Sequence, residues 1–251
     1  PRLQDAAQAQ VEAVLAGQPE PPKYFKEMKR INKIGPRILG GFPQPDRLAG
    51  ERIVEILEAG ALVVDTRPAD AYAAAHVPGT INIPLDGLFN TWAGWFVPYD
   101  RPFYLLVDGD EKVHEAVVDL AMIGLDDVAG VFDASALDAW VAAGRALGRT
   151  QQIEAAELAE RMRKGDVSVI DVRGRTEWEA GRLPGVPNIP LGYLPDRLDE
   201  VPADRPLVVQ CLGGGRSAIA ASLLKAKGYD NVINLQGGFN QWQAAGHPVE
   251  R

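Results

Sequence analysis

Cysteine is all but missing: Cys211 is the only one in 251 residues. A single thiol excludes an internal disulfide framework and a thiolate-built zinc site. Histidine is scarce as well. His76, His114 and His247 lie far apart in the chain, which argues against a histidine-based metal centre. No apolar run approaches the roughly 20 residues of a membrane span, and no segment has the layout of a signal peptide. Positive charge is in deficit, with 26 Lys and Arg against 34 Asp and Glu and a net charge of -8. That balance argues against nucleic acid or an anionic membrane as the main partner. These absences point to a reducing, cytoplasmic setting. There is no initial methionine; Pro1 and the residues after it are expected to be the end of a longer polypeptide.

What remains is ordinary globular material, 46% hydrophobic and 24% charged, enough for one large or two average domains. Residues 1–45 differ from the rest. Leu3, Ala7, Val11, Val14 and Leu15 predict a short amphipathic helix with Gly17 as its stop. Pro19-Glu20-Pro21-Pro22 is stiff and extended. Tyr24 to Lys33 predicts a further helical turn or two, ended by Gly35-Pro36, with Lys23, Lys26, Lys29, Arg30 and Lys33 on a solvated face. This segment has too little apolar content to form a core alone.

From Arg47 onward, short apolar runs alternate with helical patterns, which predicts parallel strands joined by helical crossovers. The pattern occurs twice. Val64-Asp65-Thr66-Arg67 returns as Ile170-Asp171-Val172-Arg173, and Pro78-Gly79-Thr80-Ile81-Asn82-Ile83-Pro84 as Pro184-Gly185-Val186-Pro187-Asn188-Ile189-Pro190, both 106 residues later. Pro102 to Val107 matches Pro206 to Cys211 at 104, and Trp140-Val141-Ala142-Ala143-Gly144 matches Trp242-Gln243-Ala244-Ala245-Gly246 at 102. A period near a hundred residues is too long for a solenoid and fits two domains. The expected units are a tail over 1–45, a first domain over 46–147 and a second over 152–251, meeting near Gly148-Arg149-Thr150.

The chemistry concentrates after the third apolar run of the second copy. Cys211 is followed by Leu212, Gly213, Gly214, Gly215, Arg216 and Ser217, and then by an alanine-rich helical pattern. Glycines let a tight loop turn its N–H groups inward. Such a loop ahead of a helix N-terminus forms an anion hole. A cysteine at its mouth is expected to act as a thiolate nucleophile. Arg216 is an anion clamp, a loop brace or both. Ser217 caps the helix or donates into the pocket. In the first copy Val107 replaces the cysteine and Asp108-Gly109-Asp110-Glu111-Lys112 replaces the glycines. Residues 46–147 are therefore expected to be catalytically inactive and to scaffold, space or contact a partner.

Four features in order resemble the rhodanese family: Asp-Val-Arg after a strand, the Leu-Pro-Gly-x-x-Asn-Ile-Pro turn, Cys-x-x-Gly-x-Arg-Ser, and Gly237-Gly238-Phe239 with Trp242. The resemblance implies an α/β fold with two tandem domains, each a parallel sheet of about five strands flanked by helices. It implies a sulfurtransferase that carries sulfane sulfur from thiosulfate, or a low-molecular-weight persulfide such as glutathione persulfide, to a thiol acceptor through a Cys211 persulfide. The loop residues Leu212 to Ser217 would bind substrate, with Asp171, Arg173 and Arg182 in support and Trp178 and Arg182 at the pocket mouth. Arg182 takes the place of a histidine common in the family, matched by His76 in the first copy, where a structural role is expected. Four residues separate Cys211 from Arg216, whereas phosphatases with a similar loop carry five, so a phosphatase is the poorer reading. Residues 21–36 resemble the tail of a metallo-β-lactamase-fold domain of the persulfide dioxygenase type. That likeness implies an upstream partner domain holding a non-haem iron, with no metal or cofactor in this chain. It also implies an alternative role as a non-catalytic persulfide-binding scaffold serving that domain.

Overall fold

The computed structural model describes Pro22 and residues 24–251. The helix expected around Leu3 to Ala16 lies outside the described residues. The first described element, α1 (Tyr24–Ile34), ends where Gly35 takes a left-handed φ of 88°. Tyr24, Met28 and Ile31 share one face of α1 by their spacing, and that face meets Gly94 and Gly124 of the first copy. Lys26, Lys29, Arg30 and Lys33 lie on the exposed side.

The first copy then runs α2 (Arg52–Glu58), β1 (Val63–Asp65), α3 (Ala69–Ala74), β2 (Ile81–Asn82), α4 (Phe89–Phe96), β3 (Phe103–Leu106), α5 (Asp110–Met122), β4 (Val128–Phe132) and α6 (Ser135–Ala142). The second runs β5 (Gln151–Ile153), α7 (Ala155–Lys164), β6 (Ser168–Asp171), α8 (Arg175–Ala180), two 3-10 turns (Leu191–Asp196 and Leu198–Glu200), β7 (Leu207–Gln210), α9 (Gly215–Ala226), β8 (Val232–Leu235) and α10 (Gly238–Ala244). All strand pairs are parallel, in the orders β2-β1-β3-β4 and β5-β8-β7-β6. β1, β7 and β8 are buried throughout and β6 in all but Ser168, because helices cover both sides of each sheet.

Each sheet has four strands among the described residues, one fewer than expected. The fifth position is held by a single bridge, Arg47 beside Val131 in the first copy and Asn188 beside Asp171 in the second. Proline accounts for the second. Residues 187 and 189 face β6, and Pro187 stands where Ile81 pairs with Val64 in the first copy, so the next rung would need its N–H. A proline has no N–H to give to the ladder.

The copies share a core. α9 lies on β7 and β8 of its own sheet and also against β2 of the other. Its small residues Ala220, Ala221 and Ser222 are buried, which permits this close approach on two sides. The Asn82 N–H donates to Ser222 Oγ at 2.9 Å, while Ser222 Oγ donates to the Ile219 carbonyl at 2.7 Å. Leu223 and Ala226 pack into the first core, and Trp92 and Phe96 from α4 pack into the second. Trp95 closes the seam edge-on to Tyr193, with ring centroids 5.2 Å apart.

Candidate active site

Cys211 stands one residue past β7, at the carboxyl end of the sheet, where parallel α/β folds bind their ligands. Its residue is 1% exposed, and the following Leu212 is 40% exposed, so the chain rises from core to surface within one step. The Gly214 N–H donates to Cys211 Sγ at 3.1 Å. Gly214 adopts a φ of 100°, which L side chains rarely take, so this turn depends on glycine.

The loop is held from behind. Phe239 N–H donates to the Cys211 carbonyl at 2.7 Å, and Asn240 N–H to the Leu212 carbonyl at 3.0 Å. A trans peptide points its N–H opposite its C=O, so the amides of Leu212 and Gly213 face away from α10. Gly238 makes this contact possible, since a Cβ there would sit 2.3 Å from the Cys211 carbonyl oxygen. The Gly237-Gly238-Phe239 motif is thus the back support of the cysteine loop.

Ser217 is buried in the first turn of α9, and it does not cap that helix from outside. Its hydroxyl lies 3.4 Å from Cys211 Sγ and 3.1 Å from the Gly214 carbonyl. Its one proton serves one acceptor at a time; negative charge on sulfur draws it to Sγ. Arg216 is gripped by a residue that sequence reasoning left out. Glu177 of α8 accepts from Arg216 Nη1 at 2.6 Å and Nη2 at 2.8 Å, and from the Gly174 N–H at 3.1 Å. The hydrogen bonds from Arg216 hold the Glu177 carboxyl below its usual range against the opposing effect of burial. Glu177 lies six residues after Asp171, and only the spatial return of α8 toward α9 identifies it.

Asp171 and Arg173 sit beneath the loop as a brace. Arg173 Nη2 donates to Asp171 at 2.7 Å and to the Gly181 carbonyl at 2.7 Å, with its guanidinium 4.1 Å from the centre of the Phe239 ring. The first copy repeats the pair in Asp65 and Arg67. Asn188 and Asn82 complete the repeat, each amide donating to the carbonyls of its own Asp and Arg at 2.9 Å. Arg182 is not brought to the loop by any of its contacts. It lies over the Trp178 ring at 4.3 Å and pairs with Glu250 at 3.3 Å, which fastens the C-terminal segment. His76, its counterpart, is buried and stacked on Tyr72 at 4.0 Å, with Nδ1 2.8 Å from the Tyr72 carbonyl. Burial pushes its pKa down to about 4.

In the first copy Val107 is fully buried in the hydrophobic core at the register of Cys211. Among the described residues there is no cluster of His, Cys, Asp and Glu suited to a metal ion, and no helix is long and apolar enough to cross a membrane.

The rhodanese-like domain model matches twice, over residues 51–138 and 154–245. The chain belongs to the rhodanese family. Among its relatives, a sulfurtransferase of Allochromatium vinosum is 34% identical over 99 residues, spanning 39% of this chain and 92% of the relative. A thiosulfate sulfurtransferase of Pseudoalteromonas translucida is 32% identical over 102 residues, 40% of this chain and 97% of the relative. A rhodanese-related protein of known structure from Thermoplasma volcanium is 31% identical over 40% of this chain and 97% of its own, with a TM-score of 0.37. These alignments each span about the length of one rhodanese copy. Family membership and sulfurtransferase relatives together support a general sulfurtransferase activity for this tandem rhodanese.

Proposed function

We propose that the second copy is a sulfurtransferase that carries sulfane sulfur on Cys211, from thiosulfate or a low-molecular-weight persulfide to a thiol acceptor. The observation that carries this reading is the convergence of two donors, the Gly214 amide and the Ser217 hydroxyl, on one buried sulfur. Donors aimed at a sulfur are most valuable where negative charge develops. The Cys211 thiolate attacks the outer sulfur of the donor. The donor S–S bond breaks, its electron pair leaves with sulfite or with the parent thiolate, and a new S–S bond forms on Cys211. The terminal sulfur of the resulting Cys–S–S⁻ then lies within the glycine loop. An acceptor thiolate attacks that sulfur, leaves as a persulfide, and returns Cys211 to its thiolate. This double displacement predicts ping-pong kinetics. Arg216, fixed by Glu177, places a positive charge on the loop without being free to wander.

Intact-mass measurement tests the reading. Wild-type chain exposed to thiosulfate or glutathione persulfide gains one sulfur atom and loses it on addition of thiol, while Cys211→Ser gains none. Gain on Cys211→Ser, or no gain on the wild type with either donor, overturns it. Loading without discharge to any thiol favours the scaffold role over turnover.

A further inference from the structure

The first copy has Val107 at the register of the cysteine, and it has a cavity. Thr66, one residue past β1, and Asp108, two past β3, line a space of about 410 Å³ at the carboxyl end of the first sheet. That is the position, relative to its own sheet, that the Cys211 loop occupies in the second. The cavity does not close within its own copy. Its far wall is the first turn of α9, through Gly215, Arg216 and Ile219. Gly215 directly follows Gly214, whose amide binds Cys211 Sγ, so a single turn of chain serves as cavity wall and thiol cradle.

The charges are arranged across this seam. Lys112 stands 104 residues before Arg216, at its register in the repeat, and both line the same cavity. Asp86 and Asp108 supply opposite charge at the rim, and Trp92, Leu85 and Ile219 supply apolar wall. A space of this size, mostly apolar with a few charged groups of both signs, suits a small organic ligand. The Lys112 side chain, 44% exposed, pairs at 3.0 Å with Glu115, itself half exposed, a surface pair weak enough to share its cation with a ligand; Asp108 is exposed as well.

Resting on the sulfurtransferase reading above, we infer that this interdomain cavity holds the organic body of the sulfur donor, a small persulfide bearing both carboxylate and ammonium groups. A carboxylate faces Lys112, the ammonium faces Asp86 and Asp108, and the stem lies along Trp92 and Leu85. The inactive copy is then the recognition half of the site, and thiosulfate, which has no organic body, uses the thiol cradle alone.

The test is calorimetric titration of the full chain with S-methylglutathione, a zwitterionic tripeptide thioether with no sulfur to transfer. The wild type binds it. Lys112→Glu weakens binding about tenfold, the loss expected for a charged hydrogen bond turned repulsive. Asp108→Lys weakens it similarly, and Lys164→Glu, on the distant α7, binds as the wild type does. In loading assays the ratio of kcat/KM for glutathione persulfide over thiosulfate falls by a like factor in Lys112→Glu. Absence of binding to the wild type, or equal affinity in both cavity variants and the wild type, overturns the inference. Failure of both donors to load Cys211 overturns the sulfurtransferase reading instead, and the titration still reports on the cavity.

Discussion

Replacing Glu177 by glutamine separates the charge on Arg216 from the brace that positions it. The carboxylate accepts two hydrogen bonds from the guanidinium, at 2.6 and 2.8 Å, and one from the Gly174 amide. Glutamine offers one acceptor oxygen, and its NH2 confronts an Arg216 nitrogen, so one bond is lost and the ionic component of the other disappears. Hydrogen bonds to charged groups contribute about 1.5–3 kcal/mol each when well buried. Here the side chains are 23% and 35% exposed, and screening by solvent lowers the expected loss to about 1–2 kcal/mol. For a chain of this size that corresponds to a fall in Tm of about 5 °C. Arg216 then samples several rotamers. Reordering it at each turnover slows Cys211 loading about tenfold, since 1.4 kcal/mol is a factor of ten in rate. Stopped-flow loading with thiosulfate and thermal unfolding measure the two effects. A double-mutant cycle with Arg216→Met isolates the pair; the double variant should load no more slowly than Arg216→Met alone. Glu177→Gln that loads as fast as the wild type, or effects that simply add in the cycle, would refute the bracing argument.

Three further outcomes follow from the buried polar contacts. Ser222→Ala leaves the Asn82 N–H without its interdomain acceptor and should destabilise the chain by about 1–3 kcal/mol in urea unfolding; a change below the error of the fit counts against a shared fold. Asp171→Ala strands the Arg173 guanidinium, 2% exposed, and should cost about 3–5 kcal/mol by the same assay, whereas a near-neutral change would mean that Arg173 finds other partners. His76 is held neutral, with its pKa pushed down to about 4, against about 6.5 in the unfolded chain. Between these values the unfolded state binds a proton that the native state refuses, so stability falls as pH drops from about 6.5 to 4, by roughly 3 kcal/mol. His76→Phe keeps the stack on Tyr72 and should flatten that part of the profile; an unchanged acid slope would remove His76 from the account.

The repeat and the cysteine loop were legible because each rests on local pattern. The Asp-x-Arg pairs, the glycine cradle and the valine at the cysteine's register, Val107, all follow from spacing and residue type. Family resemblance supplied the tandem rhodanese architecture, and the family match agrees with it. Less was legible where an element serves two neighbours. α4, Phe89-Asn90-Thr91-Trp92-Ala93-Gly94-Trp95-Phe96, has no clear polar stripe, because its aromatic residues reach into both copies, and no helix was predicted there. α9 was expected from its alanines, yet its second contact, with β2, was not. A helix buried on both sides loses the amphipathic period that announces a surface. The fifth strands were expected from the resemblance and are reduced to bridges; in the second copy the cause is Pro187, whose effect depends on its being the residue that must donate. Glu177 escaped because its partner is 39 residues away. The back support from Gly238 escaped because its glycine is needed for contact with a loop remote in sequence.

The double duty of α9 sets the two copies under unequal obligations. At the position of Cys211 the first copy carries a buried valine that touches none of the cysteine loop's donors. At Asn82, Trp92 and Phe96 it is tied to the second copy, because those residues seat the helix that begins at the cysteine loop. Lacking the thiol and lacking a structural role are therefore separate matters in this molecule. A chain cut between Gly148 and Gln151 would keep every residue that touches sulfur and yet expose Leu223, Ala226 and Tyr193 to water. The copy without the cysteine is masonry for the copy that has it, and any attempt to shorten the protein must rebuild that wall before it removes the first half.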